Sequence, residues 1–418
     1  MRDMLKTVLK TPMFLVLLVI LCVYGFSALG KPAEINTYAV VTSIGIDKID
    51  EEDLNYEISL LTFIPIAEQS FTETYKVVSS KGRSVSEAMD FAGLHIGRQV
   101  GLSHVKLVVL NKELIDDDIS NYLDYLSRSK NMSSSTRIVI SDSSAKDFLN
   151  AAQELDSESS IKVSELINFN SEYIYASNSS FETFFKGMFG PTKVSLVPFL
   201  KLENENDDGI SVFAENDAQS GDGNGENTGS GVETSKQKNT IINNGDTIIF
   251  KDGKKKTVID GRQAKAINLI RGDFKTGSIE VKDFSNEDFE HVNLIFEIYN
   301  KEIKYKVVFE NGVPIFHINM DLTLSLSEIQ NPNGMIEKNV EFFVVSQDET
   351  DAIAKKVNTS MAEALQIMRD NQVDIINFYT YMHNSNKKQF NKFLKSLDDK
   401  DNYLSNMVFK SSVKVYSK

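Results

Sequence analysis

The strongest constraint on this chain is a single uncharged, strongly apolar run, Met13 to Leu29. Arg2, Lys6 and Lys10 precede it and Lys31 comes soon after it. As a helix, a run of this length reaches about 26 Å, a little less than the roughly 30 Å hydrocarbon core of a bilayer. Such a segment is either a secretory signal or a single-pass anchor. Both readings export the remainder of the chain, because the basic flank stays cytoplasmic. Ala28-Leu29-Gly30 has the small-x-small form of a cleavage site. A cleaved chain would keep no attachment, so residues 1–30 are read as an uncleaved membrane anchor.

Cys22 is the one cysteine and lies inside the run, which makes it the candidate lipid-attachment residue. A lipoprotein signal needs a small residue just before the modified cysteine, and Leu21 stands there instead. A small apolar residue within a helix is the plainer role for Cys22. One cysteine also excludes an internal disulfide framework. At 418 residues the chain can hold two or three domains with real cores. Its net charge of −14 is concentrated, since Glu203 to Glu233 holds nine acidic residues and no basic one. The mildly acidic remainder argues against a nucleic-acid partner.

Beyond the anchor, periodicity predicts an α+β, multidomain chain: mixed and antiparallel sheets covered by helices. Residues 31–155 read as an α/β domain. Tyr38 to Asp47 and Leu54 to Phe63 form a hairpin. Ser84 and Glu87 cap a helix carrying Val85, Ala88, Met89 and Ala92. His104 to Leu110 and Thr136 to Ser141 are short strands, and Ile119, Leu123 and Leu126 mark a helix between them. Ala145 to Ala152 is a further helix. Residues 156–275 read as a middle domain. In it Ser179 and Glu182 cap a helix with Phe181, Phe184 and Phe185, and Val194 to Leu202 is strand-like. Residues 203–236 are too polar to offset their ordering entropy and form a disordered acidic loop. Thr247 to Lys251, a turn at Asp252-Gly253, and Lys256 to Ile259 make a hairpin, with a helix after it from Arg262 to Arg271.

Residues 276–418 carry the clearest pattern. Val292 to Ile298, Ile303 to Phe309 and Phe316 to Leu326 alternate as strands of a three-stranded antiparallel sheet. A long helix from about Gln347, capped by Ser346 and Glu349, presents Ile353, Val357, Met361, Leu365 and Met368 to it. Lys387 to Leu397 is a last helix and Val408 to Tyr416 a last strand.

Chemistry-bearing patterns are sparse. His95, His104 and Asp90 are close enough in sequence to consider as an acid–base group, but no Ser or Cys nucleophile motif accompanies them. His317 falls on the polar face of its strand beside Asn319 and Asp321 and is read as solvent-facing. The acidic loop lacks the ligand spacing of a calcium-binding hand. Gly93 to Gly101 holds several glycines without the strand that a dinucleotide fingerprint needs. No catalytic residue, metal ligand or cofactor is assigned.

Glu34-Ile-Asn-Thr-Tyr-Ala-Val-Val-Thr-Ser-Ile-Gly-Ile-Asp47, Gly82 to Ala88, Ser103 to Leu110, Val197 to Leu200 and Phe250 to Ala264 form an ordered series of stretches. Ser327-Glu328, the long helix, and Asp374-Ile-Ile-Asn-Phe378 ahead of Phe390 and Phe393 complete it. Together they resemble the Ger(x)C family, the C subunits of spore germinant receptors. The family's lipid-modified cysteine followed by Trp-Asp is replaced here by Leu29-Gly-Lys. The acidic loop is an insertion, and the family's tryptophans are absent. The resemblance implies a non-catalytic subunit on the outer face of the spore inner membrane, with an A subunit and a transporter-like B subunit as partners. Direct binding of a small molecule stays open. The alternatives are an exported cell-envelope enzyme and a stand-alone ligand-binding protein.

Overall fold

A computed structural model describes residues 12–29, 38–51, 53–64, 74–129, 131–158, 163, 165, 167, 172–175, 177–204, 239–242, 245–287, 289–331 and 345–418. The apolar run forms a helix, α1 (Pro12–Leu29). Its described side chains, Leu15 to Tyr24, stand exposed. Among the described residues no helix is long and apolar enough to cross a membrane. The expected membrane-spanning segment therefore gains no support from the fold. The 18 residues of α1 rise about 27 Å, short of a hydrocarbon core of about 30 Å.

The first sheet grows from β1 (Tyr38–Glu51), β2 (Leu54–Ile64) and β3 (Thr74–Gly82), an antiparallel meander. Helix α2 (Val85–Ile96) then returns to β4 (Gln99–Gly101), which pairs with the first three residues of β1. Next come β5 (Leu107–Asn111), α3 (Ser120–Arg128), β6 (Arg137–Ser141) and α4 (Ala145–Glu158). Helix α5 (Phe181–Phe189) leads to β7 (Val194–Asn204), β8 (Asn239–Ile242), β9 (Thr247–Lys251) and β10 (Lys254–Ile259). The strand order is β10-β9-β7-β6-β5-β1-β2-β3, with β4 beside β1 and β8 beside β7. Strands β1, β5, β6 and β7 run parallel. Helices α2, α3 and α5 cover one face and α4 the other. Burial on both faces is why β5 and β6 read as unbroken apolar runs rather than alternating ones.

The second sheet comes after α6 (Gly261–Arg271). It contains β11 (Ser278–Phe284), β12 (Val292–Glu310), β13 (Val313–Gln330) and β14 (Val408–Ser417), in that order. It has four strands rather than three, and β14 joins parallel to β13. The two runs expected at Val292 to Ile298 and Ile303 to Phe309 are one continuous strand. A bulge between Ile298 and Asn300 moves the inward positions from even to odd numbers, which splits the pattern into two. Helix α7 (Gln347–Asp370) buries Ile353, Val357, Met361, Leu365 and Met368 as its spacing predicts. Fully burying each such side chain contributes about 1.5–3 kcal/mol. The last helix, α8 (Phe378–Lys395), starts earlier than its sequence pattern indicates and kinks at Asn386, whose φ is −155°.

Strands β7 and β9 join the two halves. Val194, Leu196 and Ile249 pack into the core of the second sheet, while Val197, Ile248 and Phe250 pack under α3 and α5. Alternate residues of one ribbon thus serve two cores. Lys251 Nζ adds a 2.8 Å bond to the Gln372 carbonyl, and Asn268 Nδ2 donates to the Ile174 carbonyl at 2.8 Å. The acidic stretch, including the apolar island Ile210 to Phe213, lies outside the described residues from 205 to 238.

Candidate functional site

Two aspartates singled out in the sequence stretches, Asp47 and Asp374, are buried, and both work on helix starts. Gly45-Ile46-Asp47 alternates across β1. A side chain at Gly45 would press on Ala145 and Leu149 of α4, with a Cβ 3.0 Å from the Ala145 Cβ, so glycine lets the helix approach. Ile46 enters the opposite core. Asp47 then receives the amides of Ala145 at 2.7 Å and Lys146 at 3.0 Å, and Asn111 Nδ2 at 3.0 Å. These amides are the orphan donors of the α4 N-terminus, met by a carboxylate where the helix dipole favours negative charge. Asp374 receives Phe378 N at 2.9 Å and Tyr379 N at 2.8 Å, and the Tyr403 hydroxyl donates to it. Asn377, at φ +62°, makes the tight entry into α8. Burial pushes both carboxyls above the usual range, against the pull of the donated bonds.

Two concave features lie on the first half. One is an apolar groove of about 560 Å³ between the end of α3 and α5, lined by Leu126, Met132, Phe181, Phe185 and Phe189. Phe185 and Phe189 stack with ring centroids 5.8 Å apart, and Phe189 is 78 % exposed. Phe181, Phe184 and Met188 point into the core, while Phe185 and Phe189, four apart, form a second stripe beside it. The sequence signal for Phe189 is its i, i+4 aromatic spacing from Phe185, which the core stripe of the same helix overshadows. The other feature is a polar cleft of about 570 Å³ at the C-terminal end of β1, lined by Lys48, Asp50, Asn55, Tyr56, Glu113, Asp117 and Tyr122. There Asp117 receives Lys48 Nζ at 2.8 Å and the Tyr122 hydroxyl at 2.6 Å. Tyr56 and Tyr122 meet edge to face at 5.8 Å.

The histidines are not assembled into a site. His95 ends α2, His104 stands in the turn before β5, and both are exposed, as is Asp90. His317 is half-buried on β13, on the face that carries Asn319 and Asp321. Among the described residues no group of three or more His, Cys, Asp or Glu side chains could hold a metal. Cys22 is exposed on α1. The caps differ slightly from those the sequence predicts. Ser84 caps α2, but Glu87 bonds the Arg83 amide at 2.7 Å, and α5 is capped by Ser180 with Thr183 rather than by Ser179 with Glu182.

Both halves of this two-sheet α+β body match the domains of one protein family. Residues 31–202 match the spore germination protein N-terminal domain, and residues 245–417 match the spore germination B3/GerAC-like C-terminal domain. The chain belongs to the Ger(x)C family and is a homologue of germinant-receptor C subunits. The family is one of spore germination proteins and not a known enzyme family. Spore germination protein KC of Bacillus subtilis (strain 168) is 20% identical over 398 residues, covering 92% of this chain and 90% of that protein. The crystal structure of the GerBC protein aligns over 90% of this chain and 97% of that one, at 14% identity and a TM-score of 0.47.

Proposed function

We propose that this chain is the non-catalytic C subunit of a nutrient germinant receptor, tethered to the spore inner membrane. In this reading it scaffolds the A and B subunits on the extracytoplasmic side. The observation that carries the reading is the succession of both family domains along most of one chain, behind an apolar helix. The tether is α1 rather than lipid on Cys22. Tethering raises the local concentration of the folded body near membrane partners, so contacts of modest area suffice for assembly. A ribbon shared by two cores suits a scaffold, because displacing one half disturbs the packing of the other.

The test is affinity capture of the full chain from detergent-solubilised spore inner membrane, with mass spectrometry of its companions and of its own N-terminus. Recovery of a multi-pass A-type subunit and a transporter-like subunit, with the Met1-to-Leu29 peptide intact, is the expected result. A chain that brings down neither subunit removes the receptor reading. A saturable nutrient bound by the chain alone favours the stand-alone binding protein.

A further inference from the structure

We propose that the tip formed by the last turns of α2 and the first residue of β1 rests in the headgroup layer of an anionic bilayer. Phe91, Leu94 and Tyr38 would enter the interface, with His95 and Arg98 among the lipid phosphates. The inference rests on the tether reading and adds which face of the folded body meets the lipid.

The first observation is exposure. Outside α1, Leu94 at 74 % and Phe189 are the two most exposed large apolar side chains of the described residues. Phe91, three residues earlier on α2, is 41 % exposed, and Tyr38 is 40 % exposed. Positions three apart lie on one helix face, so Phe91 and Leu94 form a single apolar ridge. Gly97, at φ +69°, ends the helix and turns the chain through Arg98 into β4. Strand β4 pairs with Tyr38 to Val40, which sets the ridge, Arg98 and the start of β1 at one end of the sheet.

The second observation is where the chain arrives. Helix α1 ends at Leu29 and β1 starts at Tyr38. The nine residue steps from Leu29 to Tyr38 span at most about 30 Å, so the end of α1 lies within that distance of the tip. The Tyr38 end of the sheet is the end that a membrane-inserted α1 holds close.

The third observation is charge. The far ends of β1 and β5 lead into Asp50, Glu51, Asp53, Glu113, Asp116, Asp117 and Asp118, against Lys48, Lys81, Arg83 and Lys112. The tip carries Arg98 and His95, with Lys76 at the start of β3, against Asp90 farther back on α2 and Glu154 toward the end of α4. Strand β1 has 14 residues, about 45 Å end to end, several times the screening length of about 8 Å. A negative lipid surface therefore repels the acidic far end and leaves the near-neutral tip, with Arg98 beside its apolar ridge, as the end that can approach it. Aromatic and aliphatic side chains beside basic ones are the chemistry of an interfacial contact rather than of a buried protein seam.

The experiment uses the full chain with Cys22→Ala, which removes the one native thiol, reconstituted in vesicles of phosphatidylcholine and phosphatidylglycerol. An environment-sensitive fluorophore is placed on Leu94→Cys or, in a control chain, on Glu113→Cys at the opposite end. The expected result is quenching at position 94 by lipids carrying a spin label near the headgroup. Quenching there by aqueous iodide should fall at least threefold relative to position 113. Should the chain float with the vesicles while position 94 stays as open to iodide as position 113, the tip assignment is overturned and the tether stands. Shielding of position 94 from both quenchers means that protein covers the tip, which also overturns the assignment. A chain that does not float with the vesicles overturns the tether and the tip together.

Discussion

Asp47 and Asp374 perform the same task in the two halves of the molecule by different routes. Asp374 gathers its amides from four and five residues ahead, within one turn of chain, and adds one distant hydroxyl from Tyr403. Asp47 reaches across 98 and 99 residues to the first amides of α4. The first is a local cap locked by one tertiary bond. The second exists only once β1 and α4 have met, after the closure entropy of the intervening loop has been offset by the packing of β5, β6 and α3. Similar bonds at similar burial thus hold different things: Asp374 holds the entry of a helix, and Asp47 holds a layer of the fold.

The largest expected effect comes from Asp374→Ala. It leaves two buried amides and the Tyr403 hydroxyl without an acceptor, which costs roughly 3–5 kcal/mol. Hydrogen exchange by mass spectrometry on the full chain in detergent should rise first across residues 374–407. Asp47→Ala should cost roughly 2–4 kcal/mol, with new exchange split between residues 38–60 and 145–158. Exchange confined to one of those two segments would break the contrast, since a layer contact must loosen both of its partners.

Titration tests the Asp374 cap directly. A carboxyl raised in the folded state holds its proton to higher pH than in the unfolded chain. Its favourable contribution is complete below the ordinary value of 3.8 and is lost as pH rises through the folded value. Asp374→Asn removes this titration and should flatten stability against pH by up to about 1.4 kcal/mol per pH unit, starting above pH 3.8. Urea midpoints of parent and variant between pH 4 and pH 7 check this, and parallel curves would remove Asp374 from the pH response.

The same contrast explains what can be read in the sequence. The α7 face is legible because Ile353 to Met368 repeat at helical spacing and every one of the predicted positions is buried. Strand β12 is legible only in pieces, because an unmarked bulge changes the parity of its inward residues. Strands β3 and β11 lack a legible pattern. Thr74 to Gly82 carries Ser79, Ser80 and Lys81 in place of clean alternation, and Ser278 to Phe284 breaks register before Phe284. The roles of Asp47 and Gly45 have no local signal, since both depend on a helix a hundred residues onward. The groove beside Phe189 is hidden because its stripe shares a helix with a core stripe.

The smallest expected effect is at an exposed cap, and it sharpens the comparison by removing burial. Ser84 Oγ accepts the Glu87 amide at 3.1 Å, with both partners near solvent. Ser84→Ala leaves that amide to water, so the loss should be about 1 kcal/mol, well under that of either buried aspartate. The Gly97 turn at the other end of α2 is untouched, so faster exchange should stay within the first turn, residues 85–88. Glu87 also holds the Arg83 amide and side chain, which limits the fraying. A loss from Ser84→Ala equal to that from Asp47→Ala would mean that burial and distance add nothing to a cap in this fold. The distinction between the two aspartates would then have to rest on the Tyr403 hydroxyl alone.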